Sequence, residues 1–262
     1  MPNEKDAVIK KFLEKPENFS DLFNGSLFQG KQVLKADMLG DLPGESMISF
    51  SDKEGKKVSA RRYRDIIRKA SGRTTYAVFA VEGQEKTHYA MPVREMVYDA
   101  LNYATQVKEI SDRHRRDKDY RDSSEFLSGL LREDRLAPVI TICLYYGTGE
   151  WEGPRELYDL LDIPEEYEDM KPFMSNYKVN LVQPTDVDPE NFRTDLKLIF
   201  SLLAMSSDGM SMRKYIQEHS EEFSHIPYET YDCLRELLHV DKWWKAESKK
   251  EKGEVDMGRA LQ

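Results

Sequence analysis

Three polar residues near the middle of the chain have the types and the spacing of a metal site. Asp65 lies in one predicted strand, and Glu82 and Gln84 lie at the end of the next, TTYAVFAVEGQ. Two carboxylates from adjacent strands, together with a backbone carbonyl, can hold Mg²⁺ through oxygen ligands and leave positions for water and phosphate. A cation held there would activate a water and neutralise charge on a phosphodiester. The pattern therefore indicates the chemistry of a nuclease.

The same three positions leave two points open. A lysine normally orients water and meets phosphate charge at the last position of such sites, whereas Gln84 can hydrogen-bond but carries no charge. Lys86 can partly substitute if the strand continues that far. Burying an acid at the end of an apolar strand is costly, so a buried Glu82 would need a partner or a function. Alternatively, the apolar run ends near Val81, and Glu82 and Gln84 lie in a solvated loop.

A predicted hairpin and a long helix position these residues. The hairpin joins Arg62–Lys69 to Thr74–Val81, with Gly72 in its connection. Alternation along the second strand puts Glu82 and Gln84 on one face if the strand stays regular. Pro92 opens an amphipathic helix that runs to about residue 110.

The other segments complete an α/β sandwich with a mixed sheet, because a hairpin feeds a helical crossover. The charged segment 111–124 is predicted to be a loop or a frayed extension of the helix before it. The remaining predicted helices are 4–14, 16–27, 154–161, 191–206, 210–219 and 228–240. The remaining predicted strands are 137–146 and 178–182. Two short pieces, 32–34 and 47–50, are each compatible with a strand.

Composition narrows the class of protein. Of the 262 residues, 33 % are charged and 39 % are hydrophobic, which is enough to form a core. No apolar run approaches the roughly 20 residues that span a bilayer, and the first residues lack the apolar region of a signal peptide. We therefore expect a cytoplasmic protein without a membrane partner, and free thiols at Cys143 and Cys233. The net charge of −9 argues against general coating of polyanions, but a local basic surface can still bind DNA.

Longer stretches of the chain resemble a known family. RRYRDIIRKASGRTTYAVFAVEGQEKTHYAMPVREMVYDALNYATQVKEI is similar to the recombination-promoting nuclease/putative transposase family of the PD-(D/E)XK superfamily. The stretches NFSDLFNGSLFQGKQVLKADML, PVITICLYYGTGEWEGPRELYDLLDIPE and FRTDLKLIFSLL agree with that family in the same order. The resemblance implies a restriction-endonuclease-like core, α-β-β-β-α-β, with an appended helical region. It also implies metal-dependent DNA endonuclease activity and a link to recombination or mobile elements.

The resemblance assigns roles to individual residues. Asp65 corresponds to the first acid, Glu82 to the second, and Gln84 to the superfamily's lysine position, where glutamine is usual for this family. A further acid often comes from the first helix, and Asp21 is the candidate by position, with Glu17 behind it. Asp65, Glu82 and Asp21 are thus the expected metal ligands.

The expected DNA contacts are basic residues on either side of the core. An arginine in the first turn of a helix is as often a surface charge, so the role of Arg94 stays open. The candidates are Arg61, Arg62, Arg64, Lys86 and Arg94.

These observations predict a Mg²⁺-dependent endodeoxyribonuclease, with Mn²⁺ as an alternative metal and DNA as its partner. A homodimer is compatible with cutting both strands. The competing hypothesis is a catalytically inactive nuclease-like module that binds nucleic acid or protein. The expected boundaries are a nuclease-like domain at 1–186, a helical region at 187–246 and a polar flexible tail at 247–262.

Overall fold

The computed structural model describes residues 4–42, 45–51, 57–63, 65–71, 75–238, 248–249 and 254–257. Its helices are α1 (Glu4–Leu13), α2 (Pro16–Ser26), α3 (Met91–Asp117), α4 (Ser123–Ser128), α5 (Leu196–Ala204), α6 (Gly209–Glu218), α7 (Ser220–Phe223) and α8 (Tyr228–Leu238). Its strands are β1 (Leu39–Asp41), β2 (Glu45–Ser51), β3 (Lys57–Tyr63), β4 (Ile66–Ser71), β5 (Thr75–Gln84), β6 (Val139–Tyr145), β7 (Asn180–Val182), β8 (Ile226–Pro227), β9 (Ser248–Lys249) and β10 (Glu254–Val255). Short 3₁₀ turns lie at Ala36–Met38, Leu157–Leu160, Glu165–Phe173 and Pro189–Asn191.

A five-stranded mixed sheet in the order β1-β4-β5-β6-β7 forms the centre of the fold. β1, β4 and β5 are antiparallel neighbours, whereas β5, β6 and β7 run parallel. The change of direction follows from α3, which carries the chain from the end of β5 back to the start of β6. The predicted α/β class with a mixed sheet is therefore confirmed, and β2 and β3 form a separate antiparallel pair.

Alternating side chains on β5 face two different layers. Phe79 and Val81 belong to the main hydrophobic core with residues of α1, α2 and the C-terminal helices. Val78 and Ala80 lie on the opposite face with Ile67. α3 contacts that opposite side of the sheet through β6, where Thr141 Oγ1 donates to Asp99 Oδ1 at 2.8 Å. Two helices, α1 and α3, thus begin near the same end of the central strands.

The predicted strand at 62–69 is wrong as a single element. β3 ends at Tyr63 and pairs with β2, while β4 begins at Ile66 and pairs with β5. Because the two strands have different partners, the chain bends between them, and Asp65 lies at this bend. Asp65 therefore precedes the strand in which it was expected.

The long helix α3 also extends beyond its predicted end. The charged segment after residue 110 continues the helix to Asp117, because His114 is buried and bound at both ring nitrogens. Asp119 lies 2.8 Å from its Nδ1, Asp134 lies 2.9 Å from its Nε2, and Arg113 and Tyr120 flank the ring. These partners arrive from the turns that follow the helix, so a window of local sequence does not reveal them.

The C-terminal helices share the main core. Leu196, Phe200 and Leu234 are buried together with the apolar faces of α1 and α2. In the tail, β10 pairs with β8, and Met257 is fully buried. In the described part, 47–50 lies within β2 and 32–34 forms no strand, whereas the predicted strands at 137–146 and 178–182 are confirmed as β6 and β7.

Both cysteines are free, as predicted, and both are buried. No helix among the described residues has the length and apolarity that crossing a bilayer requires.

Candidate active site

Asp65 is attached to the end of β5 by a hydrogen bond to the backbone. The backbone N–H of Gly83 donates to Asp65 Oδ2 at 2.8 Å. A Cβ atom at position 83 would lie 3.6 Å from that oxygen and 3.3 Å from Tyr146 Cε1. The first distance is an ordinary contact and the second is a tight one, so the glycine chiefly leaves room for the Tyr146 ring beside the strand.

Glu82 is a buried acid within β5, not a loop residue. The strand continues to Gln84, and Glu82 is 0 % exposed opposite Cys143 of β6. Arg94 Nη2 donates to Glu82 Oε2 at 3.0 Å, so an ion pair compensates the burial of this carboxylate. Burial, then the carboxylates of Glu95 and Glu82, raise the pKa of the Cys143 thiol. The alternative of a solvated loop at Glu82 is wrong.

Arg94 faces both predicted acids. Burial lowers the pKa of its guanidinium, but the carboxylates of Glu82 and Asp65, together with Tyr98, raise the pKa above its ordinary value overall. The guanidinium carbon lies 5.6 Å from the centre of the Tyr98 ring. The carboxylate of Glu82 thus binds this guanidinium, and the charge of Asp65, at the bend before β4, acts on it as well.

A third acid comes from the first helix. Asp6, in the first turn of α1, accepts a hydrogen bond from the Tyr146 hydroxyl. Burial, this bond, and the charges of Asp6, Asp65 and Glu85 raise the pKa of the Tyr146 hydroxyl far above its ordinary value. Asp6 and Asp65 therefore lie within electrostatic reach of the same phenol.

These residues surround a polar pocket of about 480 Å³ at the end of the sheet. Lys5, whose side chain is 3 % exposed, pairs with Glu85 at 3.0 Å and ties α1 to the segment after β5. The lining consists of Asp6, Asp65, Gly83, Gln84, Glu85, Lys86, Thr87, His88 and Arg94. Asp65, Gln84, Lys86 and Arg94 were predicted from the sequence, and Glu82 adjoins the pocket through its bond to Arg94.

Asp21 lies elsewhere, in α2, and its carboxylate faces the turn before α5. It is 4 % exposed, and its carboxylate accepts the backbone N–H groups of Arg193 at 2.9 Å and Thr194 at 2.7 Å. The Thr194 hydroxyl donates to the same carboxylate at 2.8 Å. Asp21 thus links α2 to the turn before α5 and does not line the pocket. Glu17 lies in the first turn of α2.

The predicted DNA contacts separate into two groups. Lys86 is exposed at the pocket, and Arg94 lies between the pocket and Glu82. Arg61 and Arg62 lie in β3, of which the structure describes the backbone only, and Arg64 lies outside the described residues.

The donor set fits a hard divalent cation with few protein ligands. Within the described ranges, no group of three or more His, Cys, Asp or Glu side chains is arranged to hold a metal ion. Mg²⁺, however, is usually held by one or two carboxylates, waters and substrate phosphates. Glu82 supplies one carboxylate, which binds the Arg94 guanidinium at 3.0 Å, and Asp65 supplies a second, whose charge acts on the same guanidinium.

Sequence reasoning missed Asp6 and His88, which line the pocket, and Tyr146, which binds Asp6. Asp6 was visible as an acid opening the first helix, and Tyr146 as the last residue of a predicted strand. His88 gave no spacing signal, because no second histidine stands at the spacing of a metal motif such as HxxxH. His88 Nδ1 is buried and has no hydrogen-bond partner in the described part of the chain.

The fold and the pocket define a mixed α/β protein with an acidic site at the end of its central strands. The chain belongs to the YhgA-like putative transposase family, whose family model matches residues 3–229. This match confirms the resemblance drawn from the sequence. No curated protein and no solved structure matches the chain.

Proposed function

We propose that this protein is a metal-dependent DNA endonuclease, linked to recombination or mobile elements, that cleaves phosphodiester bonds at the pocket beside β5. The observation that carries the proposal is the fully buried Glu82 near the end of an apolar strand, with the carboxylate of Asp65 bound to the backbone of the next residue, Gly83. A charged side chain at such a position is costly unless it has a function or a partner. The name of the family, putative transposase, points to DNA as the substrate.

The order of elements supports a PD-(D/E)XK core. A helix, three strands, a helix and a strand correspond to α1, β1, β4, β5, α3 and β6, in a sheet where β4 and β5 are antiparallel and β5 and β6 are parallel. The pair β2–β3 is then an insertion between the first two core strands.

Five residues at the pocket have roles in this proposal. Asp65 and Glu82 hold a divalent cation, Mg²⁺ or Mn²⁺, with Asp6 as the additional acid in place of Asp21. When bound, such a cation polarises the phosphate and lowers the pKa of a coordinated water. The Gln84 amide orients water through its hydrogen bonds, and Lys86 supplies positive charge for a phosphate oxygen.

Plasmid cleavage tests the proposal. We expect Mg²⁺- or Mn²⁺-dependent cutting by the wild type, and a loss of about 100-fold or more in Asp65→Asn and in Glu82→Gln, since each removes a charge that holds the cation. Asp162→Asn, an exposed carboxylate outside the pocket, is the matched control and retains wild-type activity. Equal cleavage by all four proteins, or no cleavage by any, would contradict the proposal.

One observation favours a second candidate, a module that binds DNA without cutting it. Arg94 already neutralises Glu82, and Gln84 replaces the usual lysine. Under this candidate, calorimetric titration will show no Mg²⁺ binding that is present in the wild type and lost in Glu82→Gln.

A further inference from the structure

We infer that Arg94 is a displaceable counter-cation, which binds Glu82 beside Asp65 in the metal-free protein and is released to DNA phosphate when a divalent cation takes its place. This inference rests on the proposed function. It assigns Arg94 two successive partners, a carboxylate first and a phosphate second.

The carboxylates that balance the charge of Arg94 lie outside its own helix, where Tyr98 is its neighbour. It lies in the first turn, where the partial positive charge of the helix end disfavours a cation. The first turn of α3 carries no acidic residue that would offset this effect. The compensating charges come instead from Glu82 on β5 and from Asp65 at the bend before β4.

The contact between Arg94 and the site is strong enough to hold the acid but leaves the guanidinium able to move. The Nη2–Oε2 distance is 3.0 Å, and the Arg94 side chain is 33 % exposed, whereas Glu82 is 0 % exposed. Arg94 Nε is buried without a hydrogen-bond partner in the described part of the chain, so the planar fork of the guanidinium is not fully used. The exposed part of the side chain borders the pocket, which gives it a route toward a bound phosphate.

Charge balance explains why one cation replaces the other. A guanidinium carries one positive charge and a divalent cation carries two, so the divalent cation offsets more of the negative charge of Asp65, Glu82 and Asp6. Because both cations use the same carboxylates, the binding of one weakens the other. The released guanidinium adds positive charge at the pocket, next to Lys86, where a phosphate needs it.

Titration of Mn²⁺ into DNA-free protein tests this competition by calorimetry. We expect Arg94→Gln to bind Mn²⁺ at least about tenfold more tightly than the wild type, because a charge-assisted hydrogen bond no longer has to break. Lys86→Gln removes one positive charge from the same pocket without touching Glu82, and its affinity is expected to change by less than about threefold. Glu82→Gln is expected to lose binding.

Arg94→Lys provides a second variant that keeps a cation beside the buried acid. Its Mn²⁺ affinity is expected to lie between those of the wild type and Arg94→Gln, because a lysine makes a weaker contact than the guanidinium. Circular dichroism establishes that each protein titrated is folded. In the presence of Ca²⁺, Arg94→Gln is also expected to bind duplex DNA several-fold more weakly than the wild type.

The outcomes separate this inference from the proposed function. If the wild type binds Mn²⁺ but both Arg94 variants bind it equally well or less tightly, the inference is overturned and the metal site remains. If no folded protein in the series binds Mn²⁺, the proposed function itself is overturned. Tighter binding by Arg94→Gln that is absent in Lys86→Gln supports the inference.

Discussion

Exchanging the two acids of the first helices, Asp21 and Asp6, for asparagine separates a structural carboxylate from a functional one. Asp21 is buried and accepts two backbone N–H groups and one hydroxyl across the α2–α5 junction. Asp6 is partly buried and accepts the Tyr146 hydroxyl. Both substitutions replace a carboxylate with an amide. A difference in stability or in metal binding between the two variants therefore comes from the position of the residue.

The structure gives a magnitude for the stability difference. Hydrogen bonds to a charged acceptor contribute about 1.5–3 kcal/mol each, and an amide at position 21 would place N–H groups against the N–H donors of residues 193 and 194. These contributions are not additive, and water reaches the exposed Arg193, so we expect Asp21→Asn to lower the free energy of unfolding by about 3 kcal/mol. Asp6→Asn keeps an acceptor for Tyr146, and we expect a cost below about 1 kcal/mol.

Urea denaturation and metal titration together provide the assay. With an m-value of about 3 kcal/mol per M, Asp21→Asn shifts the urea midpoint down by about 1 M. At a temperature where both variants are folded, Asp6→Asn is expected to weaken Mn²⁺ binding, and Asp21→Asn to leave it unchanged. A stable Asp21→Asn protein with weakened metal binding would refute this reasoning and restore Asp21 as the third acid.

Two further predictions concern the end of α3 and the strand beside the site. Asp119 and Asp134 hold the pKa of His114 above its ordinary value of 6.5. The part of the wild type's stability advantage over His114→Asn that comes from the charged imidazole should therefore be complete below pH 6.5 and be lost as the pH rises through the folded-state pKa. Denaturant titrations at several pH values check this, and a pH-independent difference would contradict it. Gly83→Val should lower the free energy of unfolding by about 1–3 kcal/mol through overpacking. Gly149→Val should cost far less, because an added Cβ there meets no atom within 4 Å. Equal urea midpoints for the two variants would argue against the tight contact at Gly83.

The central strand and its acids could be predicted because their signal is local. The apolar run of β5 is long enough to define a buried strand, and period-two alternation put Glu82 and Gln84 on one face. The proline before α3 marked the start of that helix for the same reason. The pairing of these elements then follows from general rules for hairpins and parallel crossovers.

The third acid could not be chosen from the sequence, because its identity depends on packing. Asp6 and Asp21 both lie in early helices, and each has apolar residues at helical spacing beside it. Phe19 and Phe23 bury α2 in the core, which directs Asp21 to the α5 junction, while α1 begins at the pocket. The continuation of α3 has a similar cause, since the residues that hold His114 follow the helix.

The partner of Arg94 was also beyond the sequence. Its position in the first turn of a helix suggested either a phosphate contact or a surface charge, and neither interpretation includes Glu82. The contact depends on how closely α3 approaches the end of β5, which is set by the packing of Met91 against Cys143 and Tyr145.

A crystal of the protein soaked in Mn²⁺ gives the most direct test of the central claim. The account predicts an anomalous peak about 2.0–2.2 Å from carboxylate oxygens of both Asp65 and Glu82, with the Arg94 guanidinium moved away from Glu82. A fully soaked crystal in which Arg94 still binds Glu82, with no peak between the two acids, would contradict it.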